Sequence, residues 1–395
     1  MTTTADIVII GAGSTGTSIA WHLARRGVRR IVLLEKLGVG SGATGHAAGL
    51  IRHHYPDAEL VRMTKYCSQK LEHFEEEMAF PIDFVKNGFC YLAPQSPAEM
   101  AEIIAMQRAQ GVDVEMLTPE ELRRLHPKGA IDPEGVGVGL YDHDAGYADP
   151  YKVAVGYAER ARELGVDIRC GAEVQDILIE KGRVTGVVTN RGTIAAPLVV
   201  NAAGIGAVAI NRMAGVELPL RYMSLGHGVL IPDEPFETNI LTINDASREE
   251  FLFFLRPESG GTVLIGMDQD LPDREIVPET YYMDAPFDRI GKYYEHLVKR
   301  MPFIAGYRLQ TAFGALDLRT PDWNPGVGFL ADGPEGFYLA VGGSGHSFKL
   351  APALGEVISQ ELTGEAPSFD FSIFDVNRLR SFTDADFGGS FFINE

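Results

Sequence analysis

Three features are scarce in this sequence of 395 residues: cysteine, positive charge and long apolar runs. Its three cysteines, Cys67, Cys90 and Cys170, lie far apart and form no CxxC pair, which predicts buried thiols in a reducing compartment. Lysine and arginine total 35 against 54 aspartate and glutamate residues, which gives a formal net charge of −19. Because a surface of that sign repels phosphate backbones, nucleic-acid binding is not expected.

The sequence also contains no run of about 18 apolar residues, so no membrane span is predicted. No basic segment precedes the first apolar run, so no signal peptide is predicted and the expected location is the cytoplasm. Hydrophobic residues make up 45% of the chain and charged residues 23%, which is typical of globular proteins. At about 150 residues per domain, the length suggests two to three domains or one interleaved pair.

The chain opens with a strand, a glycine turn and a helix. The apolar run at residues 7–10 predicts a strand that is buried on both faces. It leads directly into Gly11, Gly13 and Gly16, which have GxGxxG spacing. In such a turn the first glycine allows the tight bend, the second lets the backbone approach a pyrophosphate, and the third allows close helix–strand packing. The N-terminus of the following helix offers N–H groups and a partial positive charge to phosphates.

A second apolar strand, residues 31–34, ends on Glu35. This carboxylate can accept hydrogen bonds from ribose hydroxyls and would repel a 2′-phosphate, so a dinucleotide other than NADP is predicted. Residues 174–195 predict a three-stranded antiparallel meander, and a buried strand then runs into the small residues 201–204. This order is typical of FAD-dependent two-domain oxidoreductases, whereas a plain NAD dehydrogenase would continue with another helical crossover.

These motifs together resemble the D-amino acid oxidase-like flavoproteins, and within them the group of sarcosine oxidase, glycine oxidase and dimethylglycine dehydrogenase. The resemblance covers roughly residues 5–380. It rests on Gly11–Gly16 with Glu35, on Gly42–Leu50, on Ala148–Pro150, on Val200–Gly204 and on Gly342–Lys349.

The resemblance implies an α/β fold in which a Rossmann-like FAD-binding domain is interleaved with a mixed-sheet α+β substrate domain. The FAD-binding domain would comprise residues 1–80, 146–222 and 325–365, the substrate domain 81–145 and 223–324, and a largely irregular C-terminal tail 366–395. The sequence further predicts helices at 99–110, 119–125 and 350–362, with Pro352 in the first turn of the last, and strands at 251–255 and 262–266.

The cofactor contacts implied by the resemblance come from both glycine segments and from the loops beside them. They are Gly11, Gly13, Ser14, Thr15, Gly16, Glu35, Lys36, Ser41, Thr44, His46, Ala47, Ala48, Gly49, Leu50, Val174, Ala203, Gly204, Gly343, Gly345, His346, Ser347, Phe348 and Lys349. The bare N–H groups of the second glycine loop, 342–345, and the following helix N-terminus would face the flavin pyrimidine edge. There they would stabilise the negative charge that builds up when the ring is reduced.

His46 resembles the residue through which dimethylglycine dehydrogenase-type enzymes attach FAD, by a bond from imidazole to the flavin 8α-methyl. Those enzymes usually have Trp before this His, whereas this chain has Gly45. A covalent bond to FAD, a noncovalent contact and a structural role therefore stay open for His46. The Cys thioether of other group members has no counterpart, because its position falls on Ala315.

Five further residues carry the expected substrate chemistry. By resemblance, Arg52 and Lys349 bind the substrate carboxylate, and the planar guanidinium suits bidentate pairing. His227 would orient the substrate amine or accept its proton, or else be a hydrogen-bonded core histidine. His346 could reach the flavin. Phe254 stands where relatives often have Tyr, so a phenol cannot serve as base there and the pocket is more apolar.

The resemblance implies hydride transfer to flavin N5 from a small amino acid or N-alkyl amino acid, giving an imine that water hydrolyses. Candidate substrates are sarcosine, dimethylglycine, glycine, proline-like and D-amino acids, and no metal is implied. Leu264 falls where sarcosine oxidase has a Lys that assists reaction with oxygen, so a dehydrogenase with another acceptor is slightly favoured over an oxidase. The alternatives are a 2-hydroxy acid dehydrogenase and a noncatalytic FAD-binding subunit or assembly factor. Neither oligomeric state nor partner subunits follow from the sequence.

Overall fold

The structure is a computed structural model that describes residues 3–235, 237, 239–247, 252–269 and 287–387. The strands in these ranges are, in chain order, β1 (Thr3–Thr4), β2 (Ile7–Ile10), β3 (Ile31–Glu35), β4 (Leu50–Ile51), β5 (Phe89–Ala93), β6 (Val114–Leu117), β7 (Val138–Asp142), β8 (Gly146–Tyr147), β9 (Asp167–Cys170), β10 (Val174–Glu180), β11 (Arg183–Thr189), β12 (Gly192–Ala195), β13 (Val199–Asn201), β14 (Arg221–Ile231), β15 (Thr242–Asp245), β16 (Leu252–Pro257), β17 (Val263–Gln269), β18 (Arg308–Arg319), β19 (Gly326–Phe329) and β20 (Phe337–Val341). The α-helices in the same ranges are α1 (Ser14–Arg25), α2 (Ala58–Glu72), α3 (Phe74–Met78), α4 (Pro97–Ala109), α5 (Pro119–Leu125), α6 (Pro150–Glu163), α7 (Ala207–Met213), α8 (Phe287–Arg300) and α9 (Ser347–Thr363).

A six-stranded sheet of order β19-β20-β13-β2-β3-β9 separates two hydrophobic cores. Strand β2 pairs in parallel with β3 and β13. Ile7 and Ile9 face one core, whereas Val8 and Ile10 face the other. The predicted strand that is buried on both faces is therefore confirmed.

Helices cover one face of this sheet, and a second sheet covers the other. Side chains of α1, α6 and α9 share the core with Ile7 and Ile9. The antiparallel strands β10, β11 and β12, together with α7, share the core with Val8 and Ile10. The predicted three-stranded meander is confirmed, and β1 extends its sheet by pairing in parallel with β12. The carboxyl ends of β2, β3 and β13 thus open at one edge, where ligands of α/β sheets bind.

An eight-stranded mixed sheet of order β18-β14-β17-β16-β15-β5-β7-β6 forms a second body of structure. Leu255 and Ile265 on one face pack with Ile290 and Leu297 of α8 in a third core. The predicted strands at 251–255 and 262–266 correspond to the antiparallel pair β16 and β17. Phe251 itself lies outside the described residues. The predicted domain boundaries stay a prediction.

Two of the predicted helices begin with a capping box, and one prediction about a helix was wrong. Ser96 and Thr118 each form a capping box at the N-termini of α4 and α5. Pro352 does not lie in the first turn of its helix, because α9 begins at Ser347 and Pro352 is its sixth residue. Its ring nitrogen supplies no N–H to the carbonyl of Phe348, so one helical hydrogen bond is lost without ending the helix.

The C-terminal tail is irregular but well packed. Up to residue 387 it contains three short 3-10 turns, and Phe374, Val376 and Leu379 in or beside them are fully buried. Residues 388–395 of the predicted tail lie outside the described residues. Within the described ranges, no helix has the length and apolar composition that crossing a bilayer requires.

The cysteines are free thiols, and the prediction that all are buried needs one correction. Cys67 and Cys90 are fully buried, and burial raises the pKa of the Cys67 thiol to about 12. Cys170 is only half-buried, because it ends the edge strand β9.

Candidate active site

The first glycine turn has the close contacts that only glycine tolerates. Gly11 has a φ of +102°, and a Cβ there would lie 2.4 Å from the carbonyl oxygen of Ala202. A Cβ at Gly16 would lie 2.0 Å from the Gly11 carbonyl oxygen. At this turn β2, α1 and the segment of Ala203 and Gly204 therefore pack closely against one another, as the glycine spacing predicted.

Helix α1 begins at this turn, directly after Gly13. Its N-cap is Gly13, which offers no side chain to cap the helix. The backbone N–H of Ser14 donates instead to Thr44 Oγ1 at 3.1 Å, and Ser14 Oγ lies 3.5 Å from the same oxygen. Thr15 follows, half-buried. The arrangement brings Thr44 of the next loop to the N-terminus of α1, where a phosphate would be bound.

Glu35 is held at the end of β3 with both carboxylate oxygens oriented by the backbone. Its Oε2 accepts from the N–H of Ala12 at 3.0 Å, and its Oε1 accepts from the N–H of Leu37 at 2.9 Å. The carbonyl of Glu35 accepts from Ala172, which places the start of β10, at Val174, close by. Each carboxylate oxygen keeps capacity for a further donor such as a ribose hydroxyl.

The loop after Glu35 is built around glycines that leave no room for side chains. A Cβ at Gly45 would lie 2.6 Å from the Gly40 carbonyl oxygen, and one at Gly49 would lie 2.1 Å from the Ala148 carbonyl oxygen. The Trp that relatives carry before His46 could enter this loop only if its backbone moved. The other predicted contacts here, Ser41, Ala47, Ala48 and Leu50, are half-buried, whereas Lys36 is exposed.

His46 ends a 3-10 turn and points towards the eight-stranded sheet. Its Nδ1 donates to the Gly42 carbonyl at 3.0 Å, and its ring centroid lies 6.5 Å from that of Phe313. Because the hydrogen bond uses Nδ1, Nε2 is the ring nitrogen that a bond to flavin would engage. A covalent bond to FAD, a noncovalent contact and a structural role all stay predictions for His46.

Phe313, His227 and Phe254 come together on one face of the eight-stranded sheet. Strand pairing puts His227 of β14 opposite Phe313 of β18 and opposite Gly266 of β17, which in turn lies opposite Phe254. The His227 ring centroid lies 5.1 Å from that of Phe313 and 5.6 Å from that of Phe254. A Cβ at Gly266 would lie 2.2 Å from the Phe254 ring, so this glycine makes room for both rings.

His227 is a neutral, buried imidazole. Burial, followed by the charges of Arg256 and His46, lowers the pKa of His227 to about 3. Within the described ranges its Nδ1 is buried and has no hydrogen-bond partner. A buried nitrogen of this kind is suited to accept a hydrogen bond from a ligand.

The fold brings Arg52 and Lys349, nearly 300 positions apart in the sequence, to one aromatic ring. Arg52 Cζ lies 4.6 Å and Lys349 Nζ 6.0 Å from the centroid of the Tyr55 ring. Both cations are buried, with 3% and 5% of their surfaces exposed. The His346 ring lies 5.2 Å from the same Tyr55 ring. Burial and the charges of Lys349 and Arg52 hold the pKa of His346 well below its usual value, so it is neutral.

In the second glycine loop, the N–H groups of Ser344 and Gly345 are not bare as predicted. The N–H groups of Ser344, Gly345 and His346 donate to Leu318, Asp317 and Gly343, because left-handed conformations at Ser344 and Gly345 turn them inward. Helix α9 begins with Ser347, Phe348 and Lys349. The N–H groups of a first helical turn have no acceptor within the helix, so those of α9 can donate to a ligand instead. A Cβ at Gly343 would lie 1.8 Å from Ser347 Oγ, so the loop fits closely against this turn.

Tyr55, Phe313 and Arg256 are residues that the sequence analysis missed. Tyr55 follows Arg52 by three positions. Phe313 precedes Ala315 by two positions, and residues two apart on a strand share a face of the sheet. Arg256 is buried, lies 4.5 Å above the Tyr147 ring and pairs with Glu258 at 2.5 Å. The spacing signals were present for the first two, but the partners of Arg256 follow only from the fold.

The residues at this site fit the predicted FAD. The Gly11–Gly16 turn and the start of α1, whose N-cap Gly13 has no side chain, suit a pyrophosphate, and Glu35 suits a ribose. Phe254, Leu264 and Ala315 are buried but belong to none of the three hydrophobic cores. They line the same face as the unpaired Nδ1 of His227, as a planar ring system against this face would require.

Comparison with known proteins agrees with this geometry. The family model described as "FAD dependent oxidoreductase" (DAO) matches residues 6–361. Human mitochondrial sarcosine dehydrogenase is 28% identical over 397 residues, which cover 96% of this chain and 42% of that protein. Rat mitochondrial dimethylglycine dehydrogenase is 28% identical over 396 residues, which cover 96% of this chain and 45% of that protein. The chain thus spans less than half the length of these relatives.

Among solved structures, L-proline dehydrogenase from P. horikoshii superposes with a TM-score of 0.85 at 26% identity, covering 96% of this chain and 99% of that one. The predicted fold class is confirmed by this match, and the predicted family by the match over most of the chain. The protein belongs to the family of FAD-dependent oxidoreductases that includes D-amino acid oxidase-like enzymes.

Proposed function

We propose that this protein oxidises a small amino acid or N-alkyl amino acid at the carbon next to nitrogen. When bound, FAD supplies the hydride acceptor, and the resulting imine is hydrolysed by water. The observation that carries the proposal is the convergence of buried Arg52 and Lys349 on the Tyr55 ring. Two buried cations at one aromatic ring suit a ligand with a carboxylate.

Arg52 and Lys349, called here the carboxylate clamp, fix the position of the substrate. Arg52 can pair with both carboxylate oxygens through its fork, whereas Lys349 acts as a point charge. The face of the Tyr55 ring attracts both cations and holds them in place before substrate arrives. Neutral His346 adds a ring contact without adding a third positive charge.

His227 orients the amine and does not hold its proton. An imidazole with a pKa of about 3 is a poor base at neutral pH, so proton transfer to His227 would be uphill. Its unpaired Nδ1 can still accept a hydrogen bond. The apolar rings of Phe254 and Phe313 beside it exclude water and favour the neutral amine, whose lone pair must assist loss of hydride.

The names of the relatives support an N-substituted amino acid as substrate. Sarcosine, dimethylglycine and L-proline, which are named for the three matched proteins, all carry an alkylated nitrogen beside a carboxylate. Glycine, D-amino acids and other proline-like compounds stay within the proposed class. The substrate itself is part of the proposal, because the chain covers less than half of the dehydrogenases it matches.

A dehydrogenase that uses an acceptor other than oxygen is the favoured form of the activity. Leu264 is buried, and alternation along β17 puts it on the same face as Gly266. Arg256 lies directly opposite Leu264 on β16, but its charge is paired with Glu258. The face of the eight-stranded sheet that carries His227 and Phe254 is called here the substrate-side face. At the position of Leu264 it offers little net positive charge to stabilise a superoxide-like transition state. The predicted cytoplasmic location stays a prediction, since the two matched dehydrogenases are mitochondrial.

Anaerobic mixing of the purified holoenzyme with a panel of substrates tests the proposal. Loss of the visible absorbance of oxidised flavin with N-methyl, cyclic or unsubstituted amino acids supports it. Reduction by 2-hydroxy acids alone would establish the 2-hydroxy acid dehydrogenase instead. If no compound of either class reduces the flavin while dithionite does, the noncatalytic subunit or assembly factor is the better description.

A further inference from the structure

A row of residues that face one another crosses the eight-stranded sheet. His227 of β14 lies opposite Gly266 of β17, and Gly266 lies opposite Phe254 of β16. Phe254 lies opposite Asn244 of β15, and Asn244 lies opposite Tyr91 of β5. Residues that are directly opposite on paired strands share a face of the sheet. Asn244 is thus on the face that carries His227 and Phe254.

The neighbours of Asn244 along β15 confirm its orientation. Ile243 packs in the core beneath α8. Asp245 accepts from Arg300 Nε of α8 at 2.6 Å. Because successive side chains of a strand point to opposite faces, Asn244 points away from α8 and into the substrate-side face.

The side chain of Asn244 is buried without a hydrogen bond to its oxygen. Only 4% of the residue is exposed, and its Oδ1 has no partner in the described part of the chain. The residues opposite it on both neighbouring strands, Phe254 and Tyr91, are aromatic. A buried amide oxygen left unpaired lowers stability, and on the face that carries His227 it is placed to accept a hydrogen bond from a ligand.

Tyr91, the residue opposite Asn244 on β5, connects the row to the carboxylate clamp. The Tyr91 ring lies 6.3 Å from that of His54. The backbone carbonyl of His54 accepts from Arg52 Nη1 at 2.6 Å. The positive charge of Arg52 also acts on the Tyr91 hydroxyl, so the end of the row at Tyr91 lies near the clamp.

We propose that Asn244 is a hydrogen-bonding subsite of the substrate pocket and that the natural substrate carries a hydroxyl group that pairs with its amide. A hydroxyl both donates and accepts, so it satisfies the amide in either orientation. A second carboxylate or an ammonium does not suit the site, because a neutral amide cannot offset a buried charge. The substrate class is then a hydroxylated amino acid or hydroxyalkyl-substituted amino acid, which rests on the proposed function.

Matched substrate pairs test this subsite in the holoenzyme. N-(2-hydroxyethyl)glycine is compared with N-propylglycine, and 4-hydroxyproline, as both diastereomers, with proline. In anaerobic flavin reduction, the hydroxylated member of at least one pair is expected to have an apparent Kd about tenfold lower. Asn244→Leu, which keeps the approximate shape, should remove this preference by raising the apparent Kd of the hydroxylated member to that of the apolar member.

Thr242 of the same strand supplies a matched control. It lies two residues before Asn244 and therefore on the same face, but its hydroxyl already accepts from Asn87 Nδ2 at 3.2 Å. Thr242→Val should lower the thermal midpoint and keep the hydroxyl preference. Asn244→Leu should raise the thermal midpoint of the substrate-free holoenzyme, because it removes an unpaired buried amide oxygen.

The outcomes separate this inference from the proposed function. If apolar amino acids reduce the flavin but no hydroxylated member is preferred, the Asn244 subsite is refuted and the proposed function stands. A lower thermal midpoint for Asn244→Leu would also refute it, because the amide would then be paired within the fold. If no amino acid reduces the flavin, the proposed function fails first.

Discussion

Replacing Arg52 with methionine should weaken substrate binding strongly while leaving FAD in place. The substitution keeps most of the stem and removes a guanidinium that is 3% exposed and 4.6 Å from the Tyr55 ring. Two charge-assisted hydrogen bonds to a carboxylate, each worth about 1.5 kcal/mol, amount to about 3 kcal/mol. This corresponds to an increase of about a hundredfold in the apparent Kd for amino acid substrates.

Stopped-flow reduction under argon measures this effect, because it separates the apparent Kd from the limiting rate of reduction. The flavin content of the variant should equal that of the wild type, because the nucleotide is expected at Gly11–Gly16 and Glu35, whereas Arg52 is expected at the substrate carboxylate. Arg62→Met is the control, because Arg62 also lies over an aromatic ring, Phe369 at 5.7 Å, but is paired with Glu59 on the surface. An apparent Kd unchanged in Arg52→Met would remove Arg52 from the clamp and refute the convergence argument.

Three further predictions concern other residues of the site. Between pH 7 and pH 5, His227→Gln should lose about 2 kcal/mol less of its unfolding free energy than the wild type. The reason is that His227 in the unfolded chain binds a proton below about pH 6.5, whereas buried His227 in the folded protein, with a pKa of about 3, stays neutral. Equal losses of unfolding free energy in the variant and the wild type, measured by thermal unfolding at both pH values, would contradict this. Leu264→Lys should speed reoxidation of the reduced holoenzyme by oxygen by about tenfold or more through added positive charge, and stopped-flow mixing with aerated buffer that gave an unchanged rate would argue against it. If His46 forms a bond to FAD through Nε2, acid precipitation should leave flavin with the protein and His46→Ala should release all of it; complete release from the wild type would leave His46 as a noncovalent contact or structural residue.

The parts of the molecule that the sequence predicted are those encoded by contiguous motifs. The turn at Gly11–Gly16 and the strand ending on Glu35 are local, so their spacing alone fixes their relative positions. The resemblance named Arg52 and Lys349, but only the fold shows that both approach the same ring.

The missed residues depend on pairing between distant strands. Asn244 becomes a site residue because β15 is paired in register with β16 and β5, which no periodicity within β15 reveals. Arg256 was missed for the same reason, because its partners Tyr147 and Glu258 follow only from the fold. The second glycine loop was misread in one respect, because only the left-handed turn at Ser344 and Gly345 shows that its N–H groups point inward.

A crystal structure of the holoenzyme with a bound, unreactive carboxylate most directly tests the arrangement inferred for the site. FAD should lie with its pyrophosphate over Gly11–Gly16 and its ribose at Glu35, and the carboxylate should contact Arg52 and Lys349. A nicotinamide nucleotide bound at Gly11–Gly16 and Glu35, or a carboxylate bound away from Arg52 and Lys349, would contradict the assignment of this site to FAD and a carboxylate substrate.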